Sequence, residues 1–337
     1  MHTVQARGEG LGVTRLIKES SLRYSALLLA LLLPGISASR ASNDSRSALP
    51  PDTRAAGRWD ITLTTGGKSY PSWLEIGPSG RDALVGRFVG IVGSARPISQ
   101  IVMTGDSLHF TIPHQWEEGS GDLTVAGRIQ GDRLTGRMTF PDGKGTEWTG
   151  VRAPRLVRTS APLWGSAIHL LHGNDLGGWH ATGSPNQWVV KNGVLTSPHS
   201  GANIVTDRTF GDFKLHVEFR YPKGSNSGVY LRGRHEVQIE DNYGEDPAND
   251  RFAGIYGFLT PSENAARPPG QWQSYDITLT GRMVTVVANG RTVISNQEIP
   301  GITGGAIDSN EGAPGPLLLQ GDHGPIEYRN IVLTPAR

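Results

Sequence analysis

Residues 225–241, SNSGVYLRGRHEVQIED, concentrate more chemically able side chains than any other part of the chain. Two strands joined at Gly233 are expected here, and alternation sorts their side chains onto two faces. Val229, Leu231, Val237 and Ile239 share an apolar face; Tyr230, Arg232, Glu236, Gln238 and Glu240 share a polar one. Glu236 is suited to moving a proton as a general acid or base. Arg232 could clamp a developing oxyanion or form a surface salt bridge. The polar face is then either solvated surface or the floor of a cleft. Asn226-Ser227-Gly228 before it and Asp241-Asn242-Tyr243-Gly244 after it are turn chemistry, able to bring loops over that floor.

A second group is Gln320-Gly321-Asp322-His323-Gly324, a glycine-flanked loop after PLLL. A histidine held there is a candidate acid or base near neutral pH. Two acids on one strand also suggest ordinary glycoside hydrolysis, but the spacing resists it. Glu236 and Glu240, four residues apart on a straight strand, lie roughly 13 Å apart, and a retaining pair needs about 5 to 5.5 Å. No histidine spacing fits zinc, whereas Glu236 or Asp241 could take a hard divalent cation. His109, His114 and Glu117 read as surface residues rather than a site.

The elements positioning these groups are strands. Between residues 57 and 152, eight short alternating runs from WDITLT to TEWTGV are separated by turns such as Gly105-Asp106, Gly131-Asp132 and Asp142-Gly143. This predicts a small up-and-down, lipocalin-like β-barrel with no acid–base set of its own, and so dispensable for chemistry. Residues 153–163, with two prolines and no period, read as a linker. From 164 to 337 the strands lengthen, FKLHVEFRY and the Asn289-Gly290 hairpin among them, and no helical period appears. The fold class is all-β, with a sheet-on-sheet sandwich after the barrel.

The totals narrow the function classes. The 337 residues suit about two domains. A net charge of +1 gives no electrostatic basis for nucleic-acid binding. The absence of cysteine excludes disulfides, thiolate catalysis and Cys-ligated zinc. Eight Trp and eight Tyr suit a β-protein able to stack on sugars. Basic residues ending at Arg23, the apolar run YSALLLALLLPGISA and a small-residue exit predict a signal segment over 1–41. A disordered leader over 42–56 should follow. The mature protein is expected in a bacterial periplasm or outside the cell, with no membrane association after cleavage.

Eight ordered blocks carry a resemblance: LLHGNDLGGW, QWVVKNGVL, FGDFKLHVEFR, NSGVYLRGRHEVQIED, GIYG, GQWQSYDITLTG, the Asn289-Gly290 hairpin and GPLLLQGDHGPIEYRNI. Over residues 164–336 they resemble the 3-keto-disaccharide hydrolase domain family. The resemblance implies a concanavalin A-like jelly-roll sandwich and hydrolysis of glycosides already oxidised at C3. Asn226, Ser227, Arg232, Glu236, Gln238, Asp241, Gln320 and His323 match the family's polar blocks. The implied chemistry removes the C2 proton, expels the C1 aglycone and adds water, so it needs no fixed carboxylate pair. Glu236 and His323 are then base and acid in either order, with Arg232 stabilising the enolate. Asn226, Ser227, Gln238, Asp241 and Gln320 bind substrate. His172 and His235 depart from the pattern and are expected to alter substrate choice. A lectin-like protein that binds carbohydrate without turnover is the alternative.

Overall fold

A computed structural model describes residues 52–337. The expected signal segment and residues 42–51 of the leader lie outside them. Residues 52–56 do not form a disordered leader. They make a short turn over Thr53–Ala55 whose Ala55 is buried in the barrel core and accepts a 2.9 Å hydrogen bond from the Trp59 indole.

Eight strands follow: β1 (Gly57–Thr65), β2 (Lys68–Ser79), β3 (Ala83–Val89), β4 (Arg96–Thr104), β5 (Ser107–Pro113), β6 (Asp122–Gln130), β7 (Arg133–Thr139) and β8 (Gly145–Arg152). Each pairs antiparallel with the next, and β8 returns to β1, so the barrel is closed and has no free edge. Strict alternation builds it. On β5, Leu108, Phe110 and Ile112 point inward while His109 and Thr111 point out. Gly105-Asp106 and Gly131-Asp132 supply the two-residue links expected of them.

The remaining strands are β9 (Ile168–His169), β10 (Trp179–Ala181), β11 (Val189–Lys191), β12 (Val194–Ser197), β13 (Ile204–Phe210), β14 (Phe213–Arg220) and β15 (Asn226–Leu231), then β16 (His235–Glu240), β17 (Gln273–Thr280), β18 (Met283–Ala288), β19 (Arg291–Glu298), β20 (Gly315–Leu319) and β21 (Ile326–Pro335). They form two sheets. One runs β10-β13-β20-β15-β16; the other runs β11-β12-β21-β14-β17-β18-β19, with β9 beside β21. A single apolar core lies between them, built from Phe213, Val217 and Phe219 on one sheet and Val229, Leu231, Val237 and Ile239 on the other. The all-β barrel-plus-sandwich architecture is therefore as the strand pattern predicts.

The barrel and sandwich do not hang from a free linker. Residues 52–337 fall within one compact unit. Trp73 and Val89 of the barrel share a small apolar cluster with Ile302 and Ala306 of the sandwich. Trp73 also meets Phe258 edge-on, with ring centroids 5.3 Å apart. Gly301 lies so close to the Trp73 ring that no side chain would fit there. Beside this seam the fully buried Glu311 takes a 2.8 Å hydrogen bond from Arg282, which also donates to the Pro154 carbonyl at 2.9 Å. The expected linker is tied down further by Arg158, 2.7 Å from Asp212.

Candidate active site

The β15–β16 hairpin sets Tyr230 opposite Glu236 and Gly228 opposite Gln238. Their side chains share the face turned away from the core, as alternation requires. Strand β16 is at the sheet edge, but its edge is covered. Gln238 N–H donates to the Gly254 carbonyl at 2.9 Å, and Tyr256 N–H to the Glu236 carbonyl at 3.1 Å. That covering segment delivers Tyr256 to the same face. Gly228 must lack a side chain, since a Cβ would collide with the Glu236 carboxyl.

These groups line a cleft of about 320 Å³ together with Asn203, Asn226, Gln320, Asp322 and His323. The loop after β20 is fixed over the hairpin from several sides. Gln320 N–H donates to the Gly228 carbonyl at 3.0 Å, Gly321 N–H to Asn203 Oδ1 at 2.8 Å, and the Ser200 hydroxyl to the Asp322 carbonyl. Gln320 is 7% exposed, and its Oε1 has no hydrogen-bond partner among the described residues. A buried amide oxygen bordering a cleft is ready to accept a bond from a ligand hydroxyl or N–H.

Glu236 is 3% exposed, with no cation bonded to it among the described residues. Burial pushes its carboxyl up to about 8, the Asp322 charge adds to the rise, and the Tyr230 hydroxyl and His323 pull against it. At neutral pH the carboxyl is thus mostly protonated. Tyr230 OH lies 2.8 Å from Glu236 Oε2 and 3.0 Å from the Gly304 carbonyl. A protonated Glu236 can donate to the tyrosine oxygen while the tyrosine donates to Gly304, so both groups stay satisfied. Burial also holds Tyr230 well above its ordinary value and pushes Tyr256 up to about 12. His323 is half exposed, with Nδ1 2.6 Å from Asp322 Oδ1. That bond raises its pKa above the ordinary 6.5, against the effect of partial burial. Nε2 is left as the outward nitrogen. The cleft therefore holds a buried proton donor and a carboxylate-supported imidazole.

Five of the eight residues singled out in the sequence line this cleft: Asn226, Glu236, Gln238, Gln320 and His323. Three do not. Arg232 lies beyond the end of β15, with a left-handed φ of 54° that breaks the alternation. Its guanidinium is buried and donates to the Gly281 carbonyl at 2.8 Å, not into the cleft. Ser227 has the parity of Val229 and Leu231, so it faces the core, where its hydroxyl meets the Gln320 carbonyl at 2.7 Å and Tyr328 OH at 2.8 Å. Asp241 follows the last residue of β16 and accepts from Gly224 N–H at 2.8 Å, closing a turn. His235 is wholly buried on the core side and His172 is exposed, and neither borders the cleft. Among the described residues, no group of three or more His, Asp or Glu converges to hold a metal ion.

Sequence reading assigned no role to Tyr230, Tyr256, Asp322 or Asn203. Tyr230 has the right parity, Tyr256 sits in GIYG and Asp322 adjoins His323, so those three were signalled; Asn203 was not. The barrel wall was missed outright. Val92, Gly93 and Trp116 line the cleft opposite the hairpin. Gly305 N–H donates to the Ile91 carbonyl at 2.9 Å, and Gly304 packs directly on the Gly93 backbone. The expectation that the barrel takes no part in the site is thereby revised.

Known proteins place the sandwich. A 3-keto-disaccharide hydrolase of Bacteroides thetaiotaomicron is 23% identical, the match covering 33% of this chain and 51% of the relative. The chain thus spans about half the length of that curated relative. A candidate glycosyl hydrolase of Parabacteroides distasonis with a solved structure is 33% identical, covering 50% of this chain and 82% of that one, with a TM-score of 0.44. A second from the same organism is 23% identical, covering 50% and 98%, with a TM-score of 0.40. The model of the 3-keto-alpha-glucoside-1,2-lyase-like domain matches residues 166–334, half of the chain and all of the cleft except its barrel wall. The chain belongs to the 3-keto-alpha-glucoside-1,2-lyase-like domain family.

Proposed function

We propose that the protein is a carbohydrate-acting hydrolase that cleaves 3-keto-glycosides by elimination and water addition. One observation carries this reading: a single cleft pairs the buried carboxyl of Glu236 with the Asp322-supported His323. A ketone at C3 acidifies the C2 proton. His323 Nε2 takes that proton, and the C2–H electrons become an enolate. Collapse of the enolate restores the C3 carbonyl and forms the C1–C2 double bond while the C1–oxygen bond breaks. Glu236 gives its proton to the departing oxygen. Water then adds its oxygen to C1 and a proton returns to C2, so the sum is hydrolysis. Tyr256, held protonated by burial, is a donor near the enolate oxygen, the role first expected of Arg232. Asn226, Gln238 and Gln320 bind sugar hydroxyls.

The test is incubation with a glucoside and its 3-keto derivative in deuterated water. Aglycone should be released from the keto compound alone, with deuterium entering the product at C2. Fast cleavage of the unoxidised glucoside, or a product free of deuterium, would sink the mechanism; saturable binding without release would favour the lectin-like alternative. The proposal includes export, on the basis of the charged, apolar and small-residue order ending near residue 41. N-terminal sequencing of the protein from the cell envelope should then begin near residue 39 or 42.

A further inference from the structure

A second cavity, of about 350 Å³, opens beside the cleft at one end of the barrel. Leu63 of β1, Phe88 of β3 and Met138 of β7, all buried, form its inner wall. Ile91 and Phe140 continue the apolar lining outward. Val92 and Trp116 line both this cavity and the polar cleft. They are 50% and 69% exposed, and Trp116 is the most exposed aromatic side chain of the barrel. Trp116 is held there by its neighbours. Glu117 accepts from the backbone N–H of Gln115 at 2.8 Å and of Trp116 at 3.2 Å, and is itself gripped by the buried Arg96 at 2.9 Å. Gln115 is further bonded to Ser94 at 2.9 Å.

The geometry points to the barrel end as the aglycone subsite of this enzyme, taking a neutral apolar aglycone while the sugar occupies the cleft. This rests on the 3-keto-glycoside reading above. The cavity is within the size range of small-molecule sites, and its inner walls offer dispersion and burial, with the carboxylates confined to its border. Glu117 and Asp142 on its border are paired with Arg96 and Lys144, and Glu118, with no ion pair among the described residues, disfavours an anionic group. The sandwich thus supplies the polar groups for the oxidised ring, and the barrel supplies an apolar receptor for what leaves from C1. Trp116 and Val92, at the boundary, set the preference.

The whole protein would be assayed with methyl and hexyl 3-keto-glucosides of one anomeric form, whose alkoxide leaving groups have similar basicity. Wild type should favour hexyl over methyl in kcat/KM by about tenfold or more. Trp116→Ala and Val92→Asp, both at exposed positions, should bring that ratio close to one, and Trp116→Phe should restore part of it. A wild type that turns over both substrates equally, with the ratio unmoved in the variants, overturns the subsite and leaves the keto-dependent chemistry standing. No turnover, yet calorimetric binding of the hexyl but not the methyl compound that is lost in Val92→Asp, supports the subsite and removes the chemistry. Neither turnover nor binding overturns both.

Discussion

The barrel and the sandwich arrange their strands in opposite ways. Every barrel strand pairs with its neighbour in sequence, whereas the five-stranded sheet of the sandwich runs β10-β13-β20-β15-β16. Local pairing only has to fill the barrel's own interior, and it leaves an apolar end. Non-local pairing draws Asn203, the β15–β16 hairpin, Tyr256, Gly304 and the 320–323 loop into one place. Burying a carboxyl such as Glu236 requires several chain segments to satisfy the groups around it, and only the crossed sheet brings them together. The polar wall of the cleft therefore belongs to the sandwich and the apolar wall to the barrel.

The sharpest way to break this division is Glu236→Gln. Loss of a proton donor should lower kcat by about 100- to 10,000-fold. Stability should move the other way. The folded carboxyl keeps its proton to about pH 8, while the unfolded chain releases it near the ordinary 4.5. The native state therefore binds more protons in between, and this group's contribution to wild-type stability falls as pH rises from about 4.5 to 8. Glutamine lacks that titration, so the variant should melt higher than wild type, by a margin that widens to pH 8 and then holds. Full activity in Glu236→Gln would move the chemistry off the sandwich floor.

Removing the barrel should have the next largest effect. A truncated chain of residues 160–337 loses Val92, Gly93 and Trp116 from the cleft and uncovers Ile302, Ala306 and Phe258. Its kcat/KM should drop about tenfold or more, and it should melt lower than the whole protein. A truncated chain equal to the whole protein in rate and melting temperature would return the barrel to the bystander role that its motif-free sequence suggests.

The pH–rate profile sharpens the roles inside the sandwich. With His323 as base, the rate rises as the imidazole loses its proton, above pH 6.5. With Glu236 as donor, it falls through about pH 8. The optimum should be narrow, and each limb belongs to the coupled pair rather than to one residue. The slow residual reaction of Glu236→Gln separates the assignments. It should keep only the rising limb; a residual rate that falls as His323 loses its proton would exchange base and acid.

How much of this was legible in the sequence follows from the same contrast. All eight barrel strands could be read from alternation, because local register needs only local pattern. On the hairpin, alternation placed Glu236 and Gln238 correctly and, applied to Ser227, would have turned it to the core. It could not foresee that β15 ends at Leu231 and that Arg232 takes a left-handed turn. Nor could it reveal the burial of Glu236, which comes from Thr303, Gly304 and the barrel loop packing over it from distant parts of the chain. Trp116 lies in a loop without period, so its place on the cleft depended on the packing of barrel against sandwich.

The two faces of the hairpin should also separate stability from rate. Val237 is fully buried in the sandwich core. Val237→Ala removes two methyl groups' worth of packing and should cost about 1.5–3 kcal/mol of stability, with kcat per folded molecule kept. Thermal melting together with active-site titration checks it; a rate loss without a melting shift would show that the core face also controls the cleft.

A small rate effect is also expected at Arg232, a residue whose sequence context allowed either an oxyanion clamp or a salt bridge. The residue is 3% exposed, and burial lowers its pKa to about 10. It donates to the Gly281 carbonyl, and its Nε has no partner among the described residues. These contacts join the hairpin tip to the β17–β18 turn on the far side of the strand from Glu236. In Arg232→Lys one ammonium replaces a planar, forked group, so the bond to Gly281 is kept poorly and a buried charge is less well satisfied. The variant should melt lower, by about 1–3 kcal/mol of stability, while kcat and KM of the folded protein stay within about twofold, because no side chain lining the cleft is changed. A fall in kcat of a hundredfold with an unchanged melting temperature would instead mean that Arg232 reaches the enolate oxygen during turnover. The floor of the cleft would then have to extend to the hairpin tip.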